Sequence, residues 1–439
     1  MTESKRANPL VFVLVCFFAS SAWLGSYSTW MEMTIFTTKL PEGWALGSIF
    51  TAAIQVAAIG PLIFMCIDRC TKIPMPRGKF IQLALILCAL GNLPLSFFWD
   101  KTIKVFGYDH SVTVISMAFF IGILNISSEV IFMPYMCKFR AAYLPAYFIG
   151  VGLSSFIPSL VSIIQNASDY NCVFNNATSQ LEPVFVEPRF SVRTFYLIMF
   201  AWMGISTVSF FLINNHEKSL EKLCIWPSKK PHDNSTIELP LSTEELSTVE
   251  IPAHETPVEP ITSSVQLHRD LFILVCLATI GCELNTIIPS IQSYAGLPYS
   301  QKTYFWSLVL SSLAQPLGAF ASVFIHVKRT SLLIGLSLVC AFCTAFTVLI
   351  AAQSPNPILK NSIFGSILTI TLQFVIYALG FLLRTGLIEA YRDDGSNMIE
   401  QEWRLFVGGL VTQSGTFFGG IVMFLLVNVF SVFKDAPSC

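Results

Sequence analysis

Charge is scarce in this chain. Asp, Glu, Lys and Arg together make up 12% of its 439 residues, well below the share usual in a soluble globular protein. Recognisable chemistry is also missing. There is no phosphate-cradling Walker loop, which argues against transport driven directly by ATP. No HExxH, paired CxxC or GxSxG pattern is present, so no catalytic set points to an enzyme and no cofactor is expected. Histidine is sparse: His110, His216, His232, His254 and His268 fall in predicted loops and His326 at a helix end, with no metal-ligand spacing. The 12 Cys are scattered, mostly in apolar stretches. No nucleic-acid partner is expected.

What the chain has instead is apolar length. Hydrophobic residues make up 54% of it, and Phe alone contributes 38. These residues fall into about eleven stretches of roughly 20, each long enough to cross a bilayer as a helix. In lipid every backbone group must bond internally, and the stretches are too long and too evenly apolar for barrel strands. The predicted fold class is therefore an all-α membrane protein with lipid as its surroundings. The spans are predicted at 9–37, 46–67, 80–98, 111–133, 145–165, 192–213, 270–291, 302–326, 331–352, 363–388 and 404–431. The first is too long for a signal peptide and is read as a retained helix.

Placing the N-terminus inside puts 18 of the 26 Lys and Arg on the inner side and 8 outside. The positive-inside rule then predicts a cytoplasmic N-terminus and an outer C-terminus. Two glycosylation acceptor patterns, at Asn166 and Asn176, fall in a loop that this topology places outside. The similar patterns at Asn125 and Asn234 fall within a span and on the inner side. Cys172 and Cys439 are both expected outside, where a disulfide could form.

Residues 214–268 interrupt the rhythm. Thirteen of them are charged, six are Pro, and Trp226 is the sole aromatic. Such a segment cannot bury enough apolar surface to fold and reads as a disordered cytoplasmic linker. It separates an N-terminal bundle of six spans (1–213) from a C-terminal bundle of five (269–439), with a ligand site expected between them near the midplane.

Ionisable groups inside a membrane are costly and mark function by default. Glu32, Glu129 and Glu283 are the strongest acidic candidates within spans and the candidate proton sites. Arg384 lies within span ten near its inner end, where snorkelling to the interface is the bland reading. Amides offer both donors and acceptors, and Gln55, Asn125, Asn285, Gln292, Gln315, Gln373 and Gln413 lie within or at the ends of spans. Trp23, Tyr27, Trp30, Phe132, Tyr294 and Trp306 offer flat faces, although lipid-facing and interfacial aromatics are common. Such a stock suits a neutral heteroaromatic ligand with an imide edge. The candidate binding set is Trp30, Glu32, Asn125, Asn285, Gln292, Tyr294, Gln315 and Gln413.

Several motifs, in order, resemble eukaryotic riboflavin transporters of the solute carrier type. Trp30-Met31-Glu32 followed by Leu40-Pro41-Glu42-Gly43-Trp44 resembles their first helix and loop, and Ile59-Gly60-Pro61-Leu62 their second helix. Phe132-Met133-Pro134-Tyr135 and Phe148-Ile149-Gly150-Val151-Gly152-Leu153-Ser154 are similar to their fourth and fifth helices. Asn285 through Gln292-Ser293-Tyr294, with Leu297-Pro298-Tyr299, is the clearest match. The resemblance implies riboflavin transport at the plasma membrane by alternating access. It also implies eleven helices in a 6+5 two-bundle fold similar to equilibrative nucleoside transporters and major-facilitator-like carriers. The chain departs from the family where Tyr27, Asn125, Val151, Gln315 and Arg384 often stand as Asn, an acid, Glu, Asn and Lys. Asn356 stands where relatives can carry Cys, which leaves Cys439 without that partner. A transporter of another nucleoside-like or purine-like solute is the runner-up, and a non-transporting membrane receptor is a third reading.

Overall fold

The structure is a computed structural model that describes residues 8–70, 76–105, 107–136, 139, 143–166, 170–175, 180–215, 261–325, 330–395 and 398–435. Each of the eleven expected spans falls on one helix or on a consecutive run of helical turns. In the first half these are α1 (Pro9–Ala19), α2 (Leu24–Lys39), α3 (Leu46–Ala57), α4 (Ile59–Cys70), α5 (Arg77–Phe98), α6 (Val112–Ser127), α7 (Met133–Met136), α8 (Leu144–Gln165) and α9 (Val192–Asn215). In the second half they are α10 (Ile261–Cys282), α11 (Ile288–Gly296), α12 (Gln301–Phe324), α13 (Thr330–Ala352), α14 (Ile363–Asp393) and α15 (Met398–Phe424).

Eight helices among the described residues are long and apolar enough to cross a membrane by themselves, and α1 with α2 makes a ninth as one span bent by 50°. The α6 helix is shorter, at 16 residues, and is extended by a π-helical turn at Ser128–Phe132 and by α7. The 24-residue α12 is not among the eight; Gln301, Ser311, Ser312 and Gln315 dilute its apolar character. Large apolar side chains stay on the outside, with Phe342 70% and Phe418 67% exposed. That surface is what lipid, not water, would cover.

Two further π-helical turns occur at Glu283–Ile287, between α10 and α11, and at Leu425–Val429 after α15. Such turns insert an extra residue into the helical ladder and re-aim side chains. Two of the three acids singled out within spans, Glu129 and Glu283, sit in them. Two short antiparallel hairpins lie in the connections: β1 (Ile103–Val105) with β2 (Tyr108–His110), and β3 (Tyr170–Asn175) with β4 (Gln180–Phe185).

Packing divides by halves but not cleanly. One core cluster runs through the N-terminal helices from Val11 to Ile213 and takes in Tyr304, Phe305, Leu308 and Val309 of α12. A second belongs to the C-terminal helices, from Ile273 to Tyr391. The α12 helix thus serves both. Its close approach to α14 depends on Gly318, where a Cβ would run into the Ala378 carbonyl.

The α10 helix begins at Ile261, inside the stretch expected to be a linker, and residues 216–260 lie outside the described residues. Asn176 and Cys439 lie outside them too, so the expected Cys172–Cys439 pairing has no structural account. Asn166 is described. It ends α8 in the left-handed conformation, with φ 56° and ψ 49°, and is exposed.

Candidate functional site

A cavity lies between the two halves. On the N-terminal side α2 supplies Trp23, Tyr27 and Trp30, which share one helical face at i, i+4 and i+7. Thr51, Ile54 and Gln55 of α3 stand beside them. On the C-terminal side the π turn and α11 supply Leu284, Asn285, Pro289 and Gln292. Leu308, Ser311, Ser312 and Gln315 of α12 and Tyr377 and Phe381 of α14 complete the wall.

Hydrogen bonds among the polar groups decide which atoms remain for a ligand. The Tyr27 hydroxyl donates to Gln315 Oε1, so the Gln315 amide nitrogen is left as a donor. Gln292 Nε2 donates to Gln373 Oε1 at 2.6 Å, so the Gln292 carbonyl oxygen is left as an acceptor. The Tyr377 hydroxyl donates to the Leu284 carbonyl at 3.2 Å, which satisfies a backbone oxygen at the π turn. Thr51 and Ser290 share a hydroxyl contact at 3.2 Å. The Trp30 ring meets Phe50 edge-on, with centroids 5.2 Å apart.

Cross-links join the halves above and below the cavity. On the side expected to be outer, Gln301 Nε2 donates to the Thr34 carbonyl at 2.7 Å and Ser293 Oγ to the Trp44 carbonyl at 2.8 Å. Asn428 Nδ2 donates to Ser48 Oγ at 2.6 Å. On the side expected to be inner the Arg384 guanidinium pairs with the Glu129 carboxylate, and both side chains are almost buried. Trp23 Nε1 donates to the other Glu129 oxygen at 3.2 Å. Arg384 therefore does not reach for the interface. It is held inward by an acid on the opposite half.

Of the eight expected ligand-binding residues, Trp30, Asn285, Gln292 and Gln315 line the cavity. The other four lie elsewhere. Glu32 is fully buried near Gln165 and Tyr196, and neither carboxylate oxygen meets a donor in hydrogen-bond geometry. Asn125 bonds Ser26 of α2; turned so that its nitrogen faces the Ala22 and Ile121 carbonyls, its oxygen accepts from the Ser26 hydroxyl. Tyr294 packs against Trp44 and Phe433, at centroid distances of 5.8 and 5.5 Å. Gln413 is buried in α15 with both amide atoms unpartnered. Of the candidate proton sites, Glu129 is held by Arg384 and Trp23, and Glu283 accepts from Cys340 Sγ at 3.3 Å.

The cavity also takes in residues that were not singled out, among them Thr51, Ser311, Ser312 and Tyr377, and it promotes Tyr27 and Gln55 from the general polar stock to its wall. The spacing Trp23, Tyr27, Trp30 carried the signal for Tyr27. Among the described residues no group of three or more His, Cys, Asp or Glu could hold a metal ion.

Glu42, in the connection between α2 and α3, has a structural role. The backbone N–H and hydroxyl of Ser111 donate to its two oxygens at 2.7 and 2.6 Å, which anchors the start of α6, and His110 Nδ1 stands 3.5 Å away.

Comparison with known proteins places these features. The chain is 36% identical to the riboflavin transporter rft-1 of Caenorhabditis elegans, over 98% of each chain. It is 32% identical to rft-2 of the same organism, again over 98% of each. Identity to human solute carrier family 52, riboflavin transporter, member 3 is 26%, with 98% of each chain covered. Among solved structures, an auto-inhibited peptide transporter of the POT family superposes with a TM-score of 0.53 at 13% identity, covering 95% of this chain and 90% of that one. A D-xylose–proton symporter gives 0.50 at 12% identity, covering 96% and 90%. These likenesses show the transporter fold. A family model described as solute carrier family 52, riboflavin transporter, matches residues 7–435. The chain belongs to that family.

Proposed function

We propose that this chain takes riboflavin into the cell across the plasma membrane by alternating access. The observation that carries the reading is the pairing of a free donor with a free acceptor in the cavity wall. Gln315, fixed by Tyr27, offers its amide N–H groups, and Gln292, fixed by Gln373, offers its carbonyl. An imide edge alternates acceptor, donor and acceptor, so it needs both. Tyr27 and Trp30 supply flat faces for the fused ring beside these amides. Thr51, Ser311 and Ser312 supply hydroxyl partners for a polyol chain. The relatives' names support the substrate, and the solved structures support a carrier fold.

In this reading the cross-links are the two gates. The pair of Glu129 with Arg384 closes the inner side, and the contacts of Gln301, Ser293 and Asn428 close the outer side. Breaking one set while the other holds would expose the site to one side at a time. Glu32 and Glu283 are buried acids that no cation neutralises among the described residues, and we assign them as candidate proton sites. N-glycans at Asn166 and Asn176, with the N-terminus inside, complete the proposed topology.

Uptake of labelled riboflavin by cells expressing the chain, at acidic and at neutral outer pH, tests this. Saturable uptake blocked by other flavins and untouched by nucleosides is the expected result. Block by nucleosides instead would move the substrate to the nucleoside-like class. Saturable binding without accumulation would make the protein a receptor.

A further inference from the structure

A second cavity opens on the side expected to be outer. It lies between the outer ends of α2 and α9, the segment before α9, Trp99 and the start of α12. Two cations border it, Lys39 and Arg193, and no carboxylate is among the residues that line it. Each cation stands over an aromatic ring. Lys39 Nζ is 6.0 Å from the centre of Trp99, and the Arg193 guanidinium is 4.4 Å from the centre of Phe97. Neither has an ion-pair partner among the described residues. Trp99 is itself stacked on Phe36 at 5.5 Å, which holds its ring in place. Ser191, Thr38 and Gln301 add neutral polar groups.

The location connects it to the central cavity. Thr34 and Thr38 continue the face of α2 that carries Trp23, Tyr27 and Trp30. Thr34 stands about 6 Å along the axis from Trp30, a little more than one turn. Gln301 likewise continues the face of α12 that carries Leu308 and Gln315. Gln301 donates to the Thr34 carbonyl, and both residues line the second cavity.

We propose that the outer cavity is a second ligand site, selective for a planar aromatic ligand that carries a negative charge, such as a flavin phosphate. The unpaired cations attract the anion, the Trp99 wall takes the ring, and the absence of a lining carboxylate removes the repulsion that would oppose either. The central cavity differs: amides and hydroxyls line it and no cation does, so it suits a neutral ring. A flavin phosphate would be held at the outer site and a neutral flavin would pass to the inner one. Only this last contrast rests on the riboflavin reading.

The test is binding of flavin mononucleotide to the full chain in nanodiscs of neutral lipid, read by flavin fluorescence. Three proteins are compared: the unsubstituted chain, the double variant Lys39→Gln with Arg193→Gln, and Gln292→Ala. The double variant, whose positions are exposed, should bind flavin mononucleotide roughly tenfold more weakly, and Gln292→Ala should bind it as before. Binding should also weaken as salt is raised, because the cations are exposed. Unchanged binding in the double variant overturns the proposal, as does binding lost in Gln292→Ala alone. Displacement by equimolar inorganic phosphate overturns the aromatic selectivity. Loss of binding when anionic lipid is added to the nanodisc makes the occupant a lipid headgroup and also overturns it. Flavin mononucleotide binding in a chain that takes up no riboflavin would strike the transport reading and leave this site standing.

Discussion

Arg384 of α14 and Glu129 of the π turn after α6 form an ion pair that joins the two halves of the molecule. It joins the halves at the end of the central cavity away from Gln301, Ser293 and Asn428, and Trp23, which lines that cavity, donates to the same carboxylate. Trp23 thus links the ion pair directly to the cavity wall.

Removing one partner of a buried pair leaves the other charge uncompensated, at a cost of about 3–5 kcal/mol. Arg384→Met should therefore lower the thermal midpoint of the purified protein and greatly reduce uptake at equal surface expression. Arg384→Lys should keep most of both, and the charge exchange Glu129→Arg with Arg384→Glu should recover part. A midpoint unchanged in Arg384→Met would show that the pair holds nothing together.

Gln373 should matter without touching the ligand. It accepts from Gln292 Nε2, and its own amide nitrogen is buried without a partner. Gln373→Leu frees Gln292 to turn its donor end toward the cavity. A net hydrogen bond contributes about 0.5–1.5 kcal/mol, so riboflavin affinity should fall by roughly tenfold or less, with folding intact. Tyr27→Phe should act through Gln315 in the same manner. Affinity for a flavin methylated at the imide nitrogen should change less in Gln373→Leu than affinity for riboflavin. Equal losses for both ligands would remove Gln292 from the imide edge.

Asp435, beyond the last π turn and close to Tyr294, has its carboxyl raised above the ordinary 3.8 by burial. The folded state then holds this proton at pH values where the unfolded chain has released it. Its contribution to stability is fully present below 3.8 and is lost as pH rises from there through the raised value. The thermal midpoint of the protein, measured relative to Asp435→Asn, should fall across that window. A difference that does not vary with pH would mean that Asp435 is no more buried in solution than in the unfolded chain.

Asn166 should carry a glycan if its loop is outer. Asn166→Gln should then increase gel mobility by one glycan, and glycosidase treatment should abolish the difference. No shift, with Asn176→Gln also silent, would reverse the assigned topology.

Much of the architecture was legible because lipid imposes one requirement on every spanning segment. Long apolar runs had to be helices, and each expected span is helical. The interruptions were not legible. Nothing in the run around Ser20–Trp23 signals a bend of 50°, and nothing around Glu283 marks a π turn. Both depend on tertiary packing, not on residue preference. The site was half legible for a related reason. In a helix buried on several sides, polarity identifies a residue that needs a partner but does not say which neighbour supplies it. Gln292 and Gln315 find theirs at the cavity, Asn125 finds Ser26, and Tyr294 finds Trp44 and Phe433. The face of α2 that bears Trp23, Tyr27 and Trp30 could be read from spacing alone. Residues 216–260, most of the expected linker 214–268, and the second acceptor at Asn176 fall outside the described residues.

The bend in the first span divides its labour. Its first segment, α1, packs on α8 and α9, with Gly150 of α8 set against the Cys16 carbonyl. Its outer segment, α2, carries the walls of both cavities. A straight rod would drag its foundation along when its upper end moved. With a bend of 50° at Ser20–Trp23, one short segment forms part of both walls, so a shift of α2 at one cavity would be felt at the other.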